Sequence, residues 1–396
     1  MSASTKTHKL FLQYCTSIVQ TIDLIFILVV KSLQIYRESF HIFLRERFPE
    51  FNQKGEKKYM KKFFALSMAL VMALSLMACG SKKEEAPAAP AETPAAEQSG
   101  EQEYNISVIL KTTSSEYWGY VVAGAEAYEK DHPNVHVEVK GATSETAYDE
   151  QQNMIETDMN NADIDGYVIA PLQADMVANM IKGQTKPIVA VDTNIDAPEV
   201  LSFVGTGNEA AGKLGGEAAA KLAKERGWEE IKCIEIAGVQ GDSTNEARMK
   251  GYAAGIEAAG GTFLYDEIQY ANAVADQAVT CMEAIMQNHP EGIAVICANN
   301  DDMAMAAARA AAGNEAYKNT VFLGFDGIQS ACKSILAGEE TMSVCQQGYS
   351  MGYESVDAVV RALQGETLDT FIDAGASIVD PDTAQARLEE LQGYLA

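Results

Sequence analysis

Residues 293–327 read IAVICANNDDMAMAAARAAAGNEAYKNTVFLGFDG, and this stretch decides the fold class. Two short apolar runs, at 293–298 and 320–325, enclose an alanine-rich segment at 302–312 that is long enough for a helix. Near-continuous apolar runs of this length, separated by a helix, are typical of buried parallel strands. The stretch therefore predicts a β-α-β unit.

The same alternation extends from residue 105 to the end of the chain. The further predicted strands lie at 106–111, 135–140, 166–170, 187–192, 201–204, 231–237, 263–269 and 342–346. The further predicted helices lie at 118–130, 147–160, 209–226, 245–259, 275–288 and 328–337. Ten strands are many for one sheet, and a polar segment at 223–230 interrupts the alternation. We therefore predict an α/β fold of two doubly wound parallel-sheet lobes.

The charge of the chain excludes one class of partner. The 396 residues carry a net charge of −26, and from Cys79 onward 19 Lys and Arg stand against 51 Asp and Glu, a net charge of −32. A surface this acidic repels phosphate backbones and anionic lipid headgroups. The sequence therefore argues against a nucleic-acid-binding protein and against direct binding to a membrane surface.

An export signal is predicted well inside the chain. Residues 60–79, MKKFFALSMALVMALSLMAC, combine two lysines, a short apolar run and a small residue before a cysteine. This order is that of a secretory signal, and the run is short for a membrane span. The segment resembles a bacterial lipoprotein signal, which implies that Cys79 is lipidated and anchors the protein on the outer face of the cell membrane. The Pro/Ala/Glu-rich residues 80–104 are predicted to be a disordered linker.

Residues 1–59 have no role in such a protein. The apolar stretch at 16–30 is interrupted by Gln20 and Asp23, and a charge inside a span makes a poor transmembrane helix. We interpret 1–59 as a mis-assigned upstream extension, because the codons of residues 54–56 (KGE) can encode a purine-rich ribosome-binding sequence shortly before Met60.

Seven cysteines are spaced irregularly and form no CxxC motif. Three of them, Cys233, Cys297 and Cys345, lie inside predicted strands, where cysteine packs as a small apolar side chain. The sequence therefore predicts buried free thiols at these positions and no metal site.

Polar side chains follow most of the predicted strands. The loops that carry them begin at Lys111, Asp192, Gln240, Asn299, Asp326 and Gln346. Ligands of open α/β sheets bind beyond the carboxyl ends of the strands, so two facing lobes direct these loops into one cleft. Amide and carboxylate groups suit hydrogen bonds to neighbouring hydroxyls, and the aromatic pair Tyr117 and Trp118 can cover an apolar sugar face. Together the loops indicate a polyol-binding site.

The combination of these motifs resembles a known family. The sequence contains NEARMKGY at 245–252, ANNDDMAMAAARAA at 298–311, VFLGFDG at 321–327 and a strand that ends in Gln346. From about residue 105 to 396 the chain is similar to the ribose/galactose-binding periplasmic proteins, which have the type I fold also found in LacI-like effector domains. The resemblance implies a non-enzymatic, cofactor-free, monomeric receptor that delivers a pentose, hexose or related polyol to an ABC permease with a separate ATPase.

The resemblance also implies the binding residues. Ser115, Tyr117 and Trp118 would form the wall of the first lobe, Asp192 would accept hydrogen bonds from ring hydroxyls, and Arg248 would donate a guanidinium fork from the second lobe. The remaining implied ligand-binding residues are Lys111, Asn300, Asp326 and Gln346.

In this family a three-segment hinge lets the two lobes close over the ligand. The implied first lobe comprises 105–227 and 347–376, the implied second lobe comprises 228–346 and 377–396, and the implied crossings lie near 226–229, 346–348 and 375–378.

Two positions depart from the pattern. Relatives often carry a second aromatic after the strand equivalent to 263–269, where this chain has Ala271-Asn272-Ala273, with Tyr270 the nearest aromatic. Lys111 stands where relatives often have a small hydroxyl residue. Its charge either favours an acidic ligand or pairs with a carboxylate of the site, and the pairing is favoured because lysine rarely stays unpaired when buried.

Other functions fit the sequence less well. Residues 205–210 match a GxGxxA nucleotide pattern but follow a fifth strand rather than a first, and 161–166 imitates half a calcium loop without the bidentate Glu at its twelfth position. Asp192 and Asp326 could in principle act as an acid/base pair. Sugar-responsive repressors with this fold carry a basic helix-turn-helix before the effector domain, and this chain has a signal and an acidic linker in that place. A second alternative is a lipoprotein that presents its ligand to a sensor kinase or chemoreceptor, and the sequence does not distinguish it from an importer component.

Overall fold

The computed structural model describes residues 102–395, so the predicted upstream extension, the signal with Cys79 and nearly all of the linker lie outside the described residues. The strands are β1 (Tyr104–Leu110), β2 (Val135–Gly141), β3 (Gly166–Ile169), β4 (Ile188–Val191), β5 (Val200–Gly205), β6 (Lys232–Ala237), β7 (Thr262–Phe263), β8 (Gln269–Tyr270), β9 (Val295–Ala298), β10 (Val321–Asp326), β11 (Met342–Gln346), β12 (Phe371–Asp373) and β13 (Ala376–Val379). The helices are α1 (Glu116–Asp131), α2 (Tyr148–Met159), α3 (Ala174–Met180), α4 (Asn208–Glu225), α5 (Ser243–Ala258), α6 (Ala275–Asn288), α7 (Asp301–Ala310), α8 (Gln329–Ala337), α9 (Gly348–Leu363) and α10 (Ala384–Tyr394).

The strands form two sheets, and each sheet is the centre of one lobe. The first sheet has the order β12-β5-β4-β3-β1-β2 and is entirely parallel. The second has the order β13-β11-β10-β9-β6-β7, with β8 also paired to β6, and is parallel except for β13. Apolar clusters lie on both faces of each sheet. The predicted fold class of two doubly wound α/β lobes is confirmed.

The first passage of the chain between the lobes lies elsewhere than predicted. The sequence placed it near 226–229, but the chain leaves the first sheet after Gly205, and α4 packs against the second sheet. The physical reason is a close approach at Gly215, where a Cβ atom would lie 2.5 Å from the Val344 side chain and 3.1 Å from that of Leu323. Residues 208–225 therefore belong to the second lobe.

The other two passages lie at element boundaries. One follows Gln346, because β11 belongs to the second sheet whereas α9 covers the first. The other lies between β12 and β13, which belong to different sheets. The short strands β12 and β13, of three and four residues, carried too little pattern to be predicted.

The predicted strand at 263–269 is divided. Only its two ends pair with β6, and residues Tyr265–Glu267 form a 3₁₀ turn between them. Tyr265 is 55% exposed and two acidic residues follow it, so this middle portion faces water instead of the sheet.

Helices α4 and α5 pack through two glycine pairs spaced four residues apart. A Cβ atom at Gly251 would lie 2.3 Å from the carbonyl oxygen of Glu209, and one at Gly212 would lie 2.6 Å from that of Arg248. Backbone contacts this close exclude any side chain larger than hydrogen. They fix the position of the α5 segment that carries Arg248.

Candidate functional site

A cavity of about 140 Å³ lies between the lobes at the carboxyl ends of both sheets. The strand order reverses between β1 and β3 in the first sheet and between β6 and β9 in the second, and such switch points are where α/β folds bind ligands. The structure brings all nine predicted site residues to this cavity: Lys111, Ser115, Tyr117, Trp118, Asp192, Arg248, Asn300, Asp326 and Gln346.

The first-lobe side of the cavity is an aromatic wall at the start of α1. The rings of Tyr117 and Trp118 meet edge to face, with centroids 5.2 Å apart, and both residues are buried. Ser115 caps the helix, since its Oγ accepts a hydrogen bond from Trp118 N at 3.4 Å. In the first turn of the capped helix, the Tyr117 hydroxyl bonds Asp192 in the loop after β4, and the Trp118 Nε1 bonds Glu145 in the loop after β2.

Asp192 joins this wall. Its Oδ1 accepts a 2.8 Å hydrogen bond from the Tyr117 hydroxyl, and its Oδ2 accepts one of 2.8 Å from the Thr193 hydroxyl. The backbone φ of Asp192 is 61°, and that of Asp326 on the opposite lobe is 124°. Side chains other than glycine adopt such angles at an energetic cost, and strained residues cluster at functional sites. Two of the strained residues of the described chain are thus the carboxylates that were predicted to bind ligand.

Arg248 is fixed on the second-lobe side. Its Nε donates to Asn208 Oδ1 at 2.8 Å, and its Nη1 donates to the Asn299 carbonyl at 2.7 Å. The guanidinium carbon lies 3.7 Å from the centroid of the Phe325 ring, and Nη1 lies 3.7 Å from Asp326 Oδ1. Burial alone would lower the pKa of Arg248, but the nearby aspartates outweigh it and raise the pKa. The cation is therefore preorganised in the cavity wall.

Gln346 links the cavity to the passages between lobes. Its Nε2 donates to Asp326 Oδ1 at 2.7 Å, and its Oε1 accepts from the Thr206 hydroxyl at 3.2 Å. Thr206 and Gln346 lie at two separate passages of the chain between the lobes. A change in the angle between the lobes would therefore be transmitted to Asp326 through its hydrogen bond with Gln346. Asn300 caps α7, since its Oδ1 accepts from Met303 N at 3.0 Å, which leaves its amide nitrogen for other partners.

Lys111 is paired rather than free. Its Nζ donates a 2.6 Å hydrogen bond to Asp242 Oδ2 across the cleft, and both side chains are nearly buried. Burial alone would lower the pKa of Lys111, but the carboxylates of Asp242, Glu145 and Asp192 raise it to about 12. The predicted pairing of Lys111 with a cavity carboxylate is confirmed. Lys111 is therefore not free to bind the acidic group of a ligand.

Other bonds join the two lobes beside the cavity. The hydroxyls of Thr193 and Thr244 lie 2.9 Å apart, and Ser330 on α8 donates its backbone N–H and its hydroxyl to the Glu116 carboxylate on α1. These hydrogen bonds add to the Lys111–Asp242 pair in holding the two lobes in contact.

Three carboxylates of the cavity were not predicted as site residues: Glu145, Asp242 and Asp302. Asp242 and Asp302 lie in loops whose sequences indicated a site, so their position at a strand end was a usable signal. Glu145 precedes α2 in the loop after β2, which ends at the same edge of the sheet as β1. The rule that parallel strands end at a common edge would have found it.

The loop after β8 has small residues at the position where the resemblance implied a second aromatic ring. Asn272, Ala273 and Val274 line the cavity, and the first two have positive φ angles of 51° and 59°. Tyr270 is 38% exposed and is not part of the lining. Among the described lining residues, aromatic rings thus lie on the first-lobe side alone.

The weaker motifs have structural roles. Asp165 accepts a hydrogen bond from the backbone N–H of Asn105 at 2.8 Å, so 161–166 is a helix-to-strand turn. Cys233, Cys297 and Cys345 are buried free thiols, as predicted. Within residues 102–395 the acidic, histidine and cysteine side chains form no group of three arranged to hold a metal ion, and no helix in that range is long and apolar enough to cross a membrane.

Comparison with known proteins identifies the family. The profile of the periplasmic binding protein domain matches residues 106–367. The chain belongs to the periplasmic binding protein family. Among the relatives of this periplasmic binding protein is the D-allose-binding periplasmic protein of Escherichia coli, 30% identical over 267 residues that span 65% of this chain and 83% of the relative. The D-ribose/D-allose-binding protein of Pseudomonas aeruginosa is 27% identical over 76% of this chain and 92% of its own.

A solved structure shares the fold. The carbohydrate transporter solute-binding protein of Agrobacterium radiobacter, in complex with D-arabinose, is 26% identical and superposes with a TM-score of 0.68 over 73% of this chain and 98% of its own. These three relatives are named as binding proteins, in agreement with the prediction of a binding protein.

Proposed function

We propose that this periplasmic binding protein binds a monosaccharide or related polyol in the cavity between its lobes and delivers it to an ABC permease with a separate ATPase. The main support is that the acceptors Asp192 and Asp326 and the donor Arg248 line the same cavity as the aromatic pair Tyr117 and Trp118. Planar polar groups bind vicinal hydroxyls, and an aromatic ring packs on the C–H face of a sugar.

The cavity size supports a single sugar ring. One water needs about 10–15 Å³ of such space, so a cavity of about 140 Å³ has room for on the order of ten non-hydrogen groups. A pentose or hexose has this size, and three relatives carry D-allose, D-ribose or D-arabinose in their names or complexes.

A thermal-shift screen tests the proposal. The purified protein is heated with saturating pentoses, hexoses, polyols and sugar acids, and a ligand that binds the native state raises the melting temperature by mass action. We expect a shift with at least one pentose, hexose or polyol and none with sugar acids, because Lys111 is already paired. If no compound of any class shifts the transition, the proposed function is wrong.

The permease partner is supported by the family and by the two-lobe hinge. Ligand would hold the lobes together and present one combined surface to the permease, by the domain closure typical of such proteins. Deletion of the permease genes should abolish uptake of the sugar found in the screen. If uptake persists and a signalling response is lost on deletion of the binding protein, the alternative of a sensor kinase or chemoreceptor partner is favoured.

We also propose a lipid anchor at Cys79, supported by the signal-like segment 60–79 and the linker after it. Cys79→Ser should release the protein from the membrane fraction. Ser81→Ala, two residues further on, is the matched control and should leave the protein in the membrane fraction. The intact mass of the untreated precursor tests the proposed start at Met60, because translation from Met1 adds 59 residues.

A further inference from the structure

The cavity contains two cations, and the structure shows a carboxylate beside each of them. Lys111 Nζ lies 2.6 Å from Asp242 Oδ2, and Arg248 Nη1 lies 3.7 Å from Asp326 Oδ1. Each pair joins one positive and one negative group, so the two pairs together add no net charge to the cavity. The remaining charges of the lining therefore decide the sign of the electric field that a ligand meets.

The remaining charges are three carboxylates: Asp192, Glu145 and Asp302. Asp192 accepts from the neutral hydroxyls of Tyr117 and Thr193, and Glu145 accepts from the indole Nε1 of Trp118 at 3.1 Å. In the described part of the chain, no lysine or arginine nitrogen lies within 4.0 Å of these three carboxylates. Five carboxylates and two cations therefore line the cavity, a surplus of three acidic groups.

This surplus is held in a place where it is poorly screened. Asp192 is 4% exposed, and Glu145 is half-buried between Trp118 and the loop that carries Lys111. Charges out of water interact more strongly than at the surface. Burial first, and then repulsion from Asp242 and Asp192, raises the pKa of Glu145 even though Lys111 is near. A neutral sugar can donate hydroxyls to these carboxylates but cannot balance their charge.

Trp118 provides a second element of cation recognition. Its ring is almost fully buried in the cavity wall, and its N–H is bonded to Glu145. An ammonium group gains from the face of an indole ring and from a carboxylate at its edge. Aromatic and carboxylate groups converge here on the first-lobe side, next to the sugar-binding acceptor Asp192.

We propose that the preferred ligand is an amine-bearing polyol, an amino sugar or aminocyclitol, whose ammonium group lies between Glu145, Asp192 and the Trp118 ring. This inference rests on the proposed function and specifies its ligand class. The remaining hydroxyls of the ligand would bind Arg248, Asp326 and Gln346 on the other side of the cavity.

Matched ligand pairs test the ligand class. Dissociation constants are measured by calorimetry at pH 7 for D-galactose and D-galactosamine, D-glucose and D-glucosamine, and myo-inositol and an amino-inositol. We expect the amine of the best-binding pair to bind at least tenfold tighter than its neutral partner, with a preference that declines as salt is added. A ratio of three or less overturns the amine proposal and leaves sugar binding standing, whereas no binding by any member overturns both.

Two variants locate the preference. Glu145→Gln removes one negative charge and keeps the shape, so the amine-to-neutral ratio should fall at least threefold, and Asp302→Asn should lower it less because Asp302 lies on the second lobe. Glu246→Gln is the matched control, since Glu246 is exposed on α5 and outside the cavity lining. An unchanged ratio in Glu145→Gln, with the protein folded by circular dichroism, also overturns the proposal.

Discussion

Lys111 and Asp242 form an ion pair of 2.6 Å between the two lobes. Lys111 follows β1 of the first sheet, and Asp242 caps α5 of the second lobe by accepting from Asn245 N at 2.8 Å. Because each partner belongs to a different lobe, the bond contributes to the contact between lobes rather than to the folding of either one. The side chains are 5% and 11% exposed, so neither charge is well hydrated in this arrangement.

Loss of the Lys111 ammonium should open the cleft. Lys111→Met leaves the Asp242 charge without its partner, which costs about 1–3 kcal/mol in the state where the lobes touch. We expect a larger radius of gyration by small-angle X-ray scattering in the absence of ligand. The double variant Lys111→Met/Asp242→Asn should be less open than Lys111→Met, since Asn still caps α5 and leaves no unpaired charge. The exposed Lys250→Met is the control, and scattering of Lys111→Met identical to the wild type would contradict the prediction.

Arg248 and Asp326 should each be needed for ligand affinity. Arg248→Ala and Asp326→Ala leave buried partners unsatisfied, at about 1–3 kcal/mol per group, so each should weaken binding of the preferred ligand at least tenfold. Calorimetry measures the effect, and Lys250→Ala on the same helix should bind like the wild type because Lys250 is exposed. Normal affinity in either site variant shows that the site is wrongly assigned.

The close contact of α4 and α5 should tolerate no methyl group at Gly251. Gly251→Ala places a Cβ 2.3 Å from the carbonyl oxygen of Glu209, and such overpacking typically costs about 1–3 kcal/mol. We expect a lower free energy of unfolding in urea. Gly119→Ala is the matched control, since a Cβ at this helical position meets nothing within 4 Å and alanine favours the helix by up to about 1 kcal/mol. Equal stability of the two variants would falsify the packing argument.

Glu235 should make the protein less stable as the pH rises. It is fully buried in β6 beneath Asn299 and Arg248, and burial raises its pKa to about 8, which the Asn299 amide and the Arg248 charge only partly offset. The folded state therefore keeps a proton that the unfolded state releases near its ordinary pKa of about 4.3. The contribution of Glu235 to the free energy of unfolding is fully present below the ordinary pKa of about 4.3. It declines by roughly 1.4 kcal/mol per pH unit from there up to about pH 8.

Glu235→Gln tests this directly, because glutamine stays neutral at every pH. Urea unfolding between pH 5 and pH 8 should show a shallower decline for Glu235→Gln than for the wild type, whereas the exposed Glu229→Gln should run parallel to it. Parallel curves for the wild type and Glu235→Gln would mean that Glu235 does not titrate in this range.

Most of the strands and nine of the residues that line the cavity could be predicted, and the wrongly predicted elements have a common cause. Apolar runs such as 293–298 and 320–325 have enough length for their period to be recognised, and the loops after them must meet at one edge of a parallel sheet. The 3₁₀ turn at 265–267 and the short β12 and β13 depend on contacts with other segments. Such contacts leave little local pattern in the sequence.

The sequence by itself determined the fold class, the polar character of the strand ends and the choice of loops that meet in the cleft, because strand and helix periods and strand direction are local properties. Only the tertiary structure decided that the chain changes lobes after Gly205, because this depends on how closely α4 can approach α5 and the second sheet. It also decided that Lys111 pairs with Asp242, 131 residues away, while Asp192, Glu145 and Asp302 have no lysine or arginine nitrogen of the described residues within 4.0 Å. Pairing between distant charges depends on the distance between folded segments, which no local pattern specifies.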